Sequence, residues 1–484
     1  MGRGRISGIL QEKGAVRDAA LSLFLYNLYT SIDSIIGNVA PPLASPGAIA
    51  PYDAYSLGIA VVLMAAIGFP RLRLALFGSA ALASGATLMA VGPLYTTLGL
   101  PGHSSFALAL LGGCGKGIVT MQVGLALGMI GARELVRVVP AAMGLSLVLG
   151  SAAAVQPVLF SVVSLVVAPL SALLASRAAV GDVVVSSVPR ASVPSRRDVG
   201  FLAAAVSCMA AACILCSNPL QEALAVGSPQ RYELLLVVRM TAAVAAAVVL
   251  AVTVRCSGNL VVAHRLVVLL IVGGVTAFLA FAPTQTAVPY GLTLTGRFLF
   301  QMLFWTVAPS AFLWFGPVGA LEGAPLSTRD ICAAAGTRSF ALLVCCYCAS
   351  LSIVFLGLRI APSGEMWAWT LVTGVALLLI GALLLIPERL LVEALRPASI
   401  DGRAAWDAAV AQLAARHRLS GRETEVMALA ARGRDSRVIQ EALGVSPSTV
   451  STHMQNMYRK LDIHSRQELI DLIEGALGDR RSQP

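Results

Sequence analysis

Near the C-terminus, polar side chains recur with the spacing of one helical face. At about 100° per residue, a helix that starts at Ser446-Pro447 gathers five of them on one side. These are Ser448, Ser451, Thr452, Gln455 and Arg459. Gln can form two hydrogen bonds to adenine, Ser and Thr can bond bases or phosphates, and Arg can reach guanine or phosphate. The pattern predicts contact with double-stranded DNA, although a solvated polar face would have the same appearance.

The other side of this helix is apolar. It carries Val450, His453, Met454, Met457, Tyr458 and Leu461. Side chains at this spacing are typical of a helix that packs one face on a core. The helix is therefore predicted to hold its polar ridge outward from a small domain.

The preceding residues contain the start and stop signals of two shorter helices. Ser420–Glu423 is a capping box that starts a helix, and Gly433 is placed to end it. A second helix is predicted over Ser436–Leu443, with Gly444 at its end. Ser446-Pro447 then supplies an N-cap and a first-turn proline for the third. Helix, short turn and helix is the geometry that places a recognition helix in the major groove.

A second capping box at Ser465–Glu468 predicts a fourth helix after these three. Four runs of residues in this region carry a family resemblance. The runs are Leu419–Glu423, Ala431–Gly433, Gly444–His453 and Tyr458–Leu461. Together they resemble the LuxR/GerE-type helix-turn-helix. The resemblance implies a four-helix domain that binds a roughly two-fold operator as a homodimer.

Family roles carry over by position. The resemblance places Thr449, Ser451 and Thr452 near the major groove, and assigns phosphates to Arg437, Arg459 and Lys460. Ser451 stands where the family commonly has Lys or Arg, so one electrostatic contact is missing. From Asp401 onward, twelve Arg and Lys face eleven Asp and Glu. This balance predicts modest DNA affinity for a lone domain.

The rest of the chain is too apolar for a water-soluble protein. Of the 484 residues 57% are hydrophobic and 12% are charged. A membrane-spanning helix needs about 20 largely apolar residues, and twelve such segments are predicted. They begin near Ala19, Ala54, Leu74, Ser105, Val138, Pro157, Val199, Glu233, Leu266, Val288, Arg338 and Trp367.

Basic residues between these segments indicate the topology. They concentrate after even-numbered spans, at Arg71, Arg73, Arg133, Arg137, Arg177, Arg190, Arg196, Arg197, Arg255, Arg265 and Arg329. The positive-inside rule then places both termini in the cytoplasm of a bacterial cell. A long interruption near Arg177–Asp198 divides the spans into six plus six, which is similar in architecture to the major facilitator transporters.

Four ionisable residues fall inside predicted spans, where charge is costly and commonly functional. They are Asp33, Lys116, Arg239 and Arg297. Three cations and one anion would suit a small anionic ligand. In the alternative interpretation, Arg239 reaches a membrane edge and Asp33 pairs with one of the cations. The glycines around Lys116 allow either close helix packing or a local helix break.

The predicted fold is all-α, with a polytopic membrane bundle and a C-terminal helix-turn-helix. The predicted segments are a cytoplasmic N-terminus (1–18), the membrane domain (19–387), a connector (388–415) and the DNA-binding domain (416–480). We find no motif of a catalytic, metal or cofactor site, so an enzyme is not expected. The sequence favours a regulator in the cytoplasmic membrane. The alternative functions are a transporter with a regulatory tail and a tail that binds protein.

Overall fold

The computed structural model describes a helical chain in two compact units. The described residues are 2–39, 51–91, 94, 102–130, 132–153, 157–179, 196–225, 229–257, 260–281, 286–314, 332, 335–360, 367–385, 410–431, 436–465, 467–469 and 472–473. Nearly all residues up to Arg396 belong to the first unit, and Pro397–Pro484 belong to the second. The division falls within the predicted connector.

The first unit is a bundle of long helices. Its first half contains α1 (Gly2–Val39), α2 (Pro51–Gly68), α3 (Pro70–Ala75), α4 (Ser79–Val91), α5 (Gly102–Met129), α6 (Ala132–Ala153) and α7 (Pro157–Ala178). Its second half contains α8 (Arg196–Ala225), α9 (Pro229–Ser257), α10 (Val261–Phe281), α11 (Ala287–Val307), α12 (Ala311–Trp314), α13 (Ala335–Ile360) and α14 (Trp367–Leu379). A 3₁₀ turn at Ala308–Ser310 joins α11 to α12, and α14 continues as a π-helix over Ile380–Leu385.

Six of the described helices are long and apolar enough to cross a membrane, and four shorter apolar helices accompany them. The all-α membrane fold is thus confirmed, whereas the count of twelve spans stays a prediction. The segment predicted to begin at Leu74 is divided, since α3 ends at Ala75 and α4 begins at Ser79. Span nine starts at Val261, ahead of the predicted Leu266.

Close helix contacts hold each half together, and α5 is central to the first. A Cβ added at Gly113 would clash with the backbone carbonyl of Tyr55 in α2, and one at Gly115 would meet the backbone of Met89 in α4. Because α5 runs unbroken from Gly102 to Met129, these glycines serve packing and do not mark a helix break. Between the halves, α6 packs on α9 and α2 packs on α13.

The second unit is a small helical domain. It contains a helical segment at residues 410–416, then α15 (Gly421–Ala431), α16 (Ser436–Leu443) and α17 (Pro447–Leu461). Residues 467–469 and 472–473 are also helical, in the region of the predicted fourth helix. One core unites these elements and includes Val426, Ile439, Val450, Met457 and Leu469.

We expect Gly113→Ala to destabilise the bundle by about 1–3 kcal/mol, because the added methyl group must separate α5 from the α2 backbone. The measurement is the thermal unfolding midpoint of the full-length protein in lipid nanodiscs. Gly273→Ala in α10 is the matched control, because a Cβ there meets nothing within 4 Å. An unchanged midpoint in Gly113→Ala would contradict the packing role.

Candidate functional site

Local signals fix both ends of the candidate recognition helix α17. Ser446 is its N-cap and accepts a hydrogen bond from the backbone amide of Thr449, with Pro447 in the first turn. At the other end Asp462 adopts the left-handed conformation, and its amide donates to the carbonyl of Tyr458. Gly444, which lies between α16 and α17, has a φ of +64° and ends α16 as predicted.

The predicted polar ridge lies in solvent. Ser448, Ser451, Thr452, Gln455 and Arg459 are all exposed. On the opposite side, the core prediction is confirmed by buried Val450, Met457 and Leu461, with Met454 and Tyr458 partly buried. The helix therefore presents short polar side chains around one long amide and one long cation.

Thr449 was predicted to lie near the major groove together with Ser451 and Thr452. It differs from them because its side chain faces the N-cap residue. It is half-buried, and its Oγ1 lies 2.8 Å from Ser446 Oγ. Ser448 Oγ also lies 2.9 Å from Ser446 Oγ, and Thr452 Oγ1 donates to the Ser448 carbonyl at 2.9 Å. The first turn is consequently held in a defined geometry by its own hydroxyl groups.

Arg459 and Lys460, both predicted phosphate ligands, have different surroundings. Arg459 is exposed and donates to Asn456 Oδ1 at 3.0 Å, on its own helix. Lys460 Nζ instead donates to Glu423 Oε2 at 2.7 Å. Lys460 thus has a structural partner that the sequence pattern did not reveal. The side chain of Arg437 lies outside the described residues, although its backbone is in α16.

Glu423 joins two helices through one carboxylate. Its side chain is only 6% exposed. Besides Lys460, it accepts the backbone amide of Ser420 at 2.7 Å, and its own amide donates to Ser420 Oγ, so the predicted capping box is present. Hydrogen bonds from Lys460 and from the Ser420 amide lower the pKa of Glu423 to about 2. The charged form therefore stabilises the fold.

The second capping box departs from the expected pattern. Glu468 donates its amide to Ser465 Oγ at 3.2 Å, as predicted. Its carboxylate, however, accepts the amide of His464 at 2.9 Å and the Ser465 hydroxyl at 2.9 Å. These bonds lower the pKa of Glu468 and fix the start of the last helical segment.

The helical segment at residues 410–416 belongs to the core of the DNA-binding domain. Val410, Leu413 and Ala414 are buried with the helices that follow. The packed domain thus extends N-terminally beyond the predicted boundary at residue 416. Residues 410–415, which the sequence assigned to the connector, thus pack on the domain that follows them in the same chain.

The two residues that follow this segment contact the C-terminal end of α17. His417 Nδ1 lies 3.1 Å from the Lys460 carbonyl, and Lys460 Nζ lies 3.4 Å from the Arg418 carbonyl. We call His417, Arg418, Lys460 and Glu423 the clasp. It joins the chain that arrives from the membrane unit to the C-terminal end of the recognition helix.

Of the four ionisable residues predicted inside the bundle, the structure describes the side chains of three, and their neighbours differ. Lys116 is buried, with its ammonium 5.7 Å and 5.2 Å from the ring centroids of Tyr29 and Tyr55. Arg239 is buried against the Phe298 ring. The side chain of Asp33 lies outside the described residues.

Arg297 is partly exposed, and its Nη1 donates to Ser217 Oγ at 3.3 Å. Polar groups of the two halves meet one helical turn away. Ser217 belongs to α8, whereas Gln301, one turn beyond Arg297, bonds Asn27 in α1. Sequence reasoning did not identify Ser217, Gln301 or Asn27, because uncharged polar residues are common in membrane helices.

Residues 417–473 match a family of bacterial regulatory proteins, the luxR family. This segment is a luxR-type helix-turn-helix domain. An uncharacterized response regulatory protein of Escherichia coli (strain K12), YgeK, is 43% identical over 54 residues. The match covers 11% of this chain and 37% of that protein, so it concerns the DNA-binding domain alone.

The membrane unit is similar in fold to solved transporters. A bacterial homologue of the iron transporter ferroportin, in its outward-facing state, has a TM-score of 0.50 and 14% identity, over 77% of this chain and 98% of that one. The human organic anion transporter MFSD10 (TETRAN) has a TM-score of 0.47 and 14% identity, over 76% and 99%. The first likeness agrees with the predicted architecture and shows fold alone.

We expect Glu423→Gln to lower the stability of the DNA-binding domain at pH 7 by about 1–2 kcal/mol, since Lys460 is partly exposed and its attraction is screened. Because the folded pKa lies below the ordinary 4.5, wild type should lose this contribution as the pH falls from about 4.5 towards 2. Urea unfolding of the unit Pro397–Pro484 at pH values from 7 down to 2 measures both effects. Glu425→Gln, at an exposed pair with Arg422, is the control. A wild-type pH profile identical to that of Glu423→Gln would refute the assignment.

Leu413→Ala should destabilise the same domain by about 2–4 kcal/mol, because it opens a cavity between the connector and the core. Thermal unfolding of the unit Pro397–Pro484 tests this, with exposed Arg416→Ala as the neighbouring control. Equal unfolding midpoints for the two variants would show that the connector lies outside the cooperative domain.

Proposed function

We propose that the chain is a membrane-anchored transcription regulator, in which the bundle receives a signal and controls DNA binding by the C-terminal domain. The observation that carries this proposal is the exposed ridge of α17. It lies on a luxR-type domain whose chain also forms a membrane bundle. A DNA-reading domain on such a chain is confined to the membrane surface, so its input is expected to come through the bundle.

In this proposal the side chains of the ridge contact both bases and phosphates of DNA. Gln455 is suited to adenine in the major groove, and Arg459 to guanine or a phosphate. Ser448, Ser451 and Thr452 are short enough to let the helix approach the bases closely. The near balance of acidic and basic residues supports binding as a homodimer, which doubles the number of phosphate contacts.

The clasp supplies a route from the signal to the DNA. Residues 410–418 come after the bundle in the chain, and His417 and Arg418 among them contact Lys460 at the end of α17. A rotation or pull of the connector would therefore act on the recognition helix itself. Allosteric control requires two states that differ in such contacts. In one state the contacts of the clasp would be formed, and in the other they would be broken.

A transporter with a regulatory tail is the second candidate. It is favoured by the hydrogen bond from Gln301 to Asn27, which links the two halves through uncharged polar groups inside the bundle. Substrate-dependent uptake into proteoliposomes would distinguish this candidate. A bundle that binds a solute and changes DNA occupancy without uptake would be a sensor.

The test of the proposed function is a footprint of the full-length protein in nanodiscs on DNA around its own gene. We expect protection of a two-fold site, weakened about 5- to 100-fold by Gln455→Ala and by Arg459→Ala, since each contact contributes roughly 1–3 kcal/mol. Arg422→Ala removes an exposed cation outside the ridge and should retain the pattern. Equal protection by all three variants would contradict DNA reading by α17.

A further inference from the structure

Two residues of α11, Arg297 and Gln301, are partly exposed within a buried stretch of the helix. Residues 293–296, 298–300 and 302–307 around them are buried. The helix packs on α6, α8, α9 and α10, so it touches both halves of the bundle. Residues one turn apart share a face, and Trp305 continues this row after Gln301.

Two residues of this row, Gln301 and Trp305, contact the opposite half. Gln301 Nε2 donates to Asn27 Oδ1 at 3.3 Å, and Asn27 Nδ2 donates to Ser146 Oγ at 2.6 Å. The Trp305 ring meets the Tyr26 ring edge-on, with centroids 5.6 Å apart. The junction between the halves is therefore lined by amides, a hydroxyl and aromatic rings.

Arg297 brings more donors to this junction than the described chain uses. A guanidinium carries five N–H groups, and the hydrogen bond found for Arg297 is the one to Ser217 Oγ. Within the ranges that the structure describes, Arg297 forms no ion pair with a carboxylate. Inside a bundle such a charge is costly, and an anionic ligand would offset the cost.

A second buried cation, Lys116, lies in α5 of the first half. Its ammonium is 5.7 Å and 5.2 Å from the ring centroids of Tyr29 and Tyr55. Thr120, one turn after Lys116, lies 2.7 Å from the Tyr26 hydroxyl, so Lys116 is one helical turn from a residue that bonds a ring at the junction. A positive charge at this place favours anions over cations.

The aromatic groups define the rest of the ligand. Trp305, one turn after Gln301, is buried together with Tyr26, which its ring contacts. Nearby in the sequence, Phe304 stacks on Tyr347 with ring centroids 4.8 Å apart. Flat rings of this kind favour a flat apolar body, while the guanidinium favours two oxygens in one plane. A planar carboxylate fixed to a ring satisfies both requirements.

We propose that the junction around Arg297 binds a small aromatic carboxylate, whose carboxylate pairs with Arg297 and whose ring lies against Tyr26 and Trp305. This ligand class is the input of the regulator, so the inference rests on the proposed function. Lys116 contributes long-range attraction. Gln301 links the two halves beside this site through its hydrogen bond to Asn27.

Benzoate, its neutral isostere benzamide and the cation benzylamine are the probes. Binding is measured as the rise in thermal unfolding midpoint of the full-length protein in nanodiscs over a concentration series. We expect benzoate to stabilise the protein, and benzamide and benzylamine to have little effect. Arg297→Gln should weaken benzoate binding about 10- to 100-fold, and Arg297→Lys should retain part of it.

Arg255→Gln, which removes an exposed cation at the end of α9, is the control and should bind benzoate as wild type does. Absence of benzoate binding, equal binding of benzamide, or undiminished binding by Arg297→Gln would each overturn the site. A footprint on the same nanodiscs separates the two proposals. Intact DNA protection without benzoate binding rejects the ligand site alone, and benzoate binding without DNA protection by any form rejects the regulator alone.

Discussion

Polar groups inside an apolar bundle must find their partners within the protein, because hydrocarbon offers no hydrogen bonds. This constraint shapes the membrane unit. Many Ser and Thr side chains bond the carbonyl one turn earlier on their own helix, as Thr120 does to Lys116 and Ser217 does to Cys213. Others tie two helices together, as Ser22 and Ser171 do between α1 and α7. Gln301 and Asn27 meet the same requirement across the two halves, since each supplies a hydrogen-bonding partner to the other.

The DNA-binding domain meets the same requirement differently, because it is small and surrounded by water. Its helices are short, so their unsatisfied terminal amides are a large fraction of all backbone groups. Ser420, Ser446 and Ser465 each cap one helix start. Glu423 extends its cap into a tertiary contact, since Lys460 bonds the same carboxylate. One side chain thereby fixes both a helix start and the angle of the recognition helix.

Packing also limits how the ends of each unit can move. Residues 410–416 are part of the DNA-binding core through Val410, Leu413 and Ala414, so this part of the connector moves with that domain. The π-helix at Ile380–Leu385 packs on α8, so the last described helix of the bundle is likewise held by its neighbours. Packed elements of this kind shift as units.

Local rules determined much of the small domain. The capping box at Ser420, the stop at Gly444, the N-cap at Ser446 and the polar ridge of α17 depend on residues within about one or two turns, so spacing alone predicts them. The apolar runs likewise predicted an all-α bundle, because a spanning helix satisfies its own backbone. Tertiary structure decided the rest. The Lys460–Glu423 pair joins residues far apart in the chain, and the Gln301–Asn27 hydrogen bond joins helices of opposite halves. Such contacts depend on which helix faces meet in space, which no short stretch of sequence encodes.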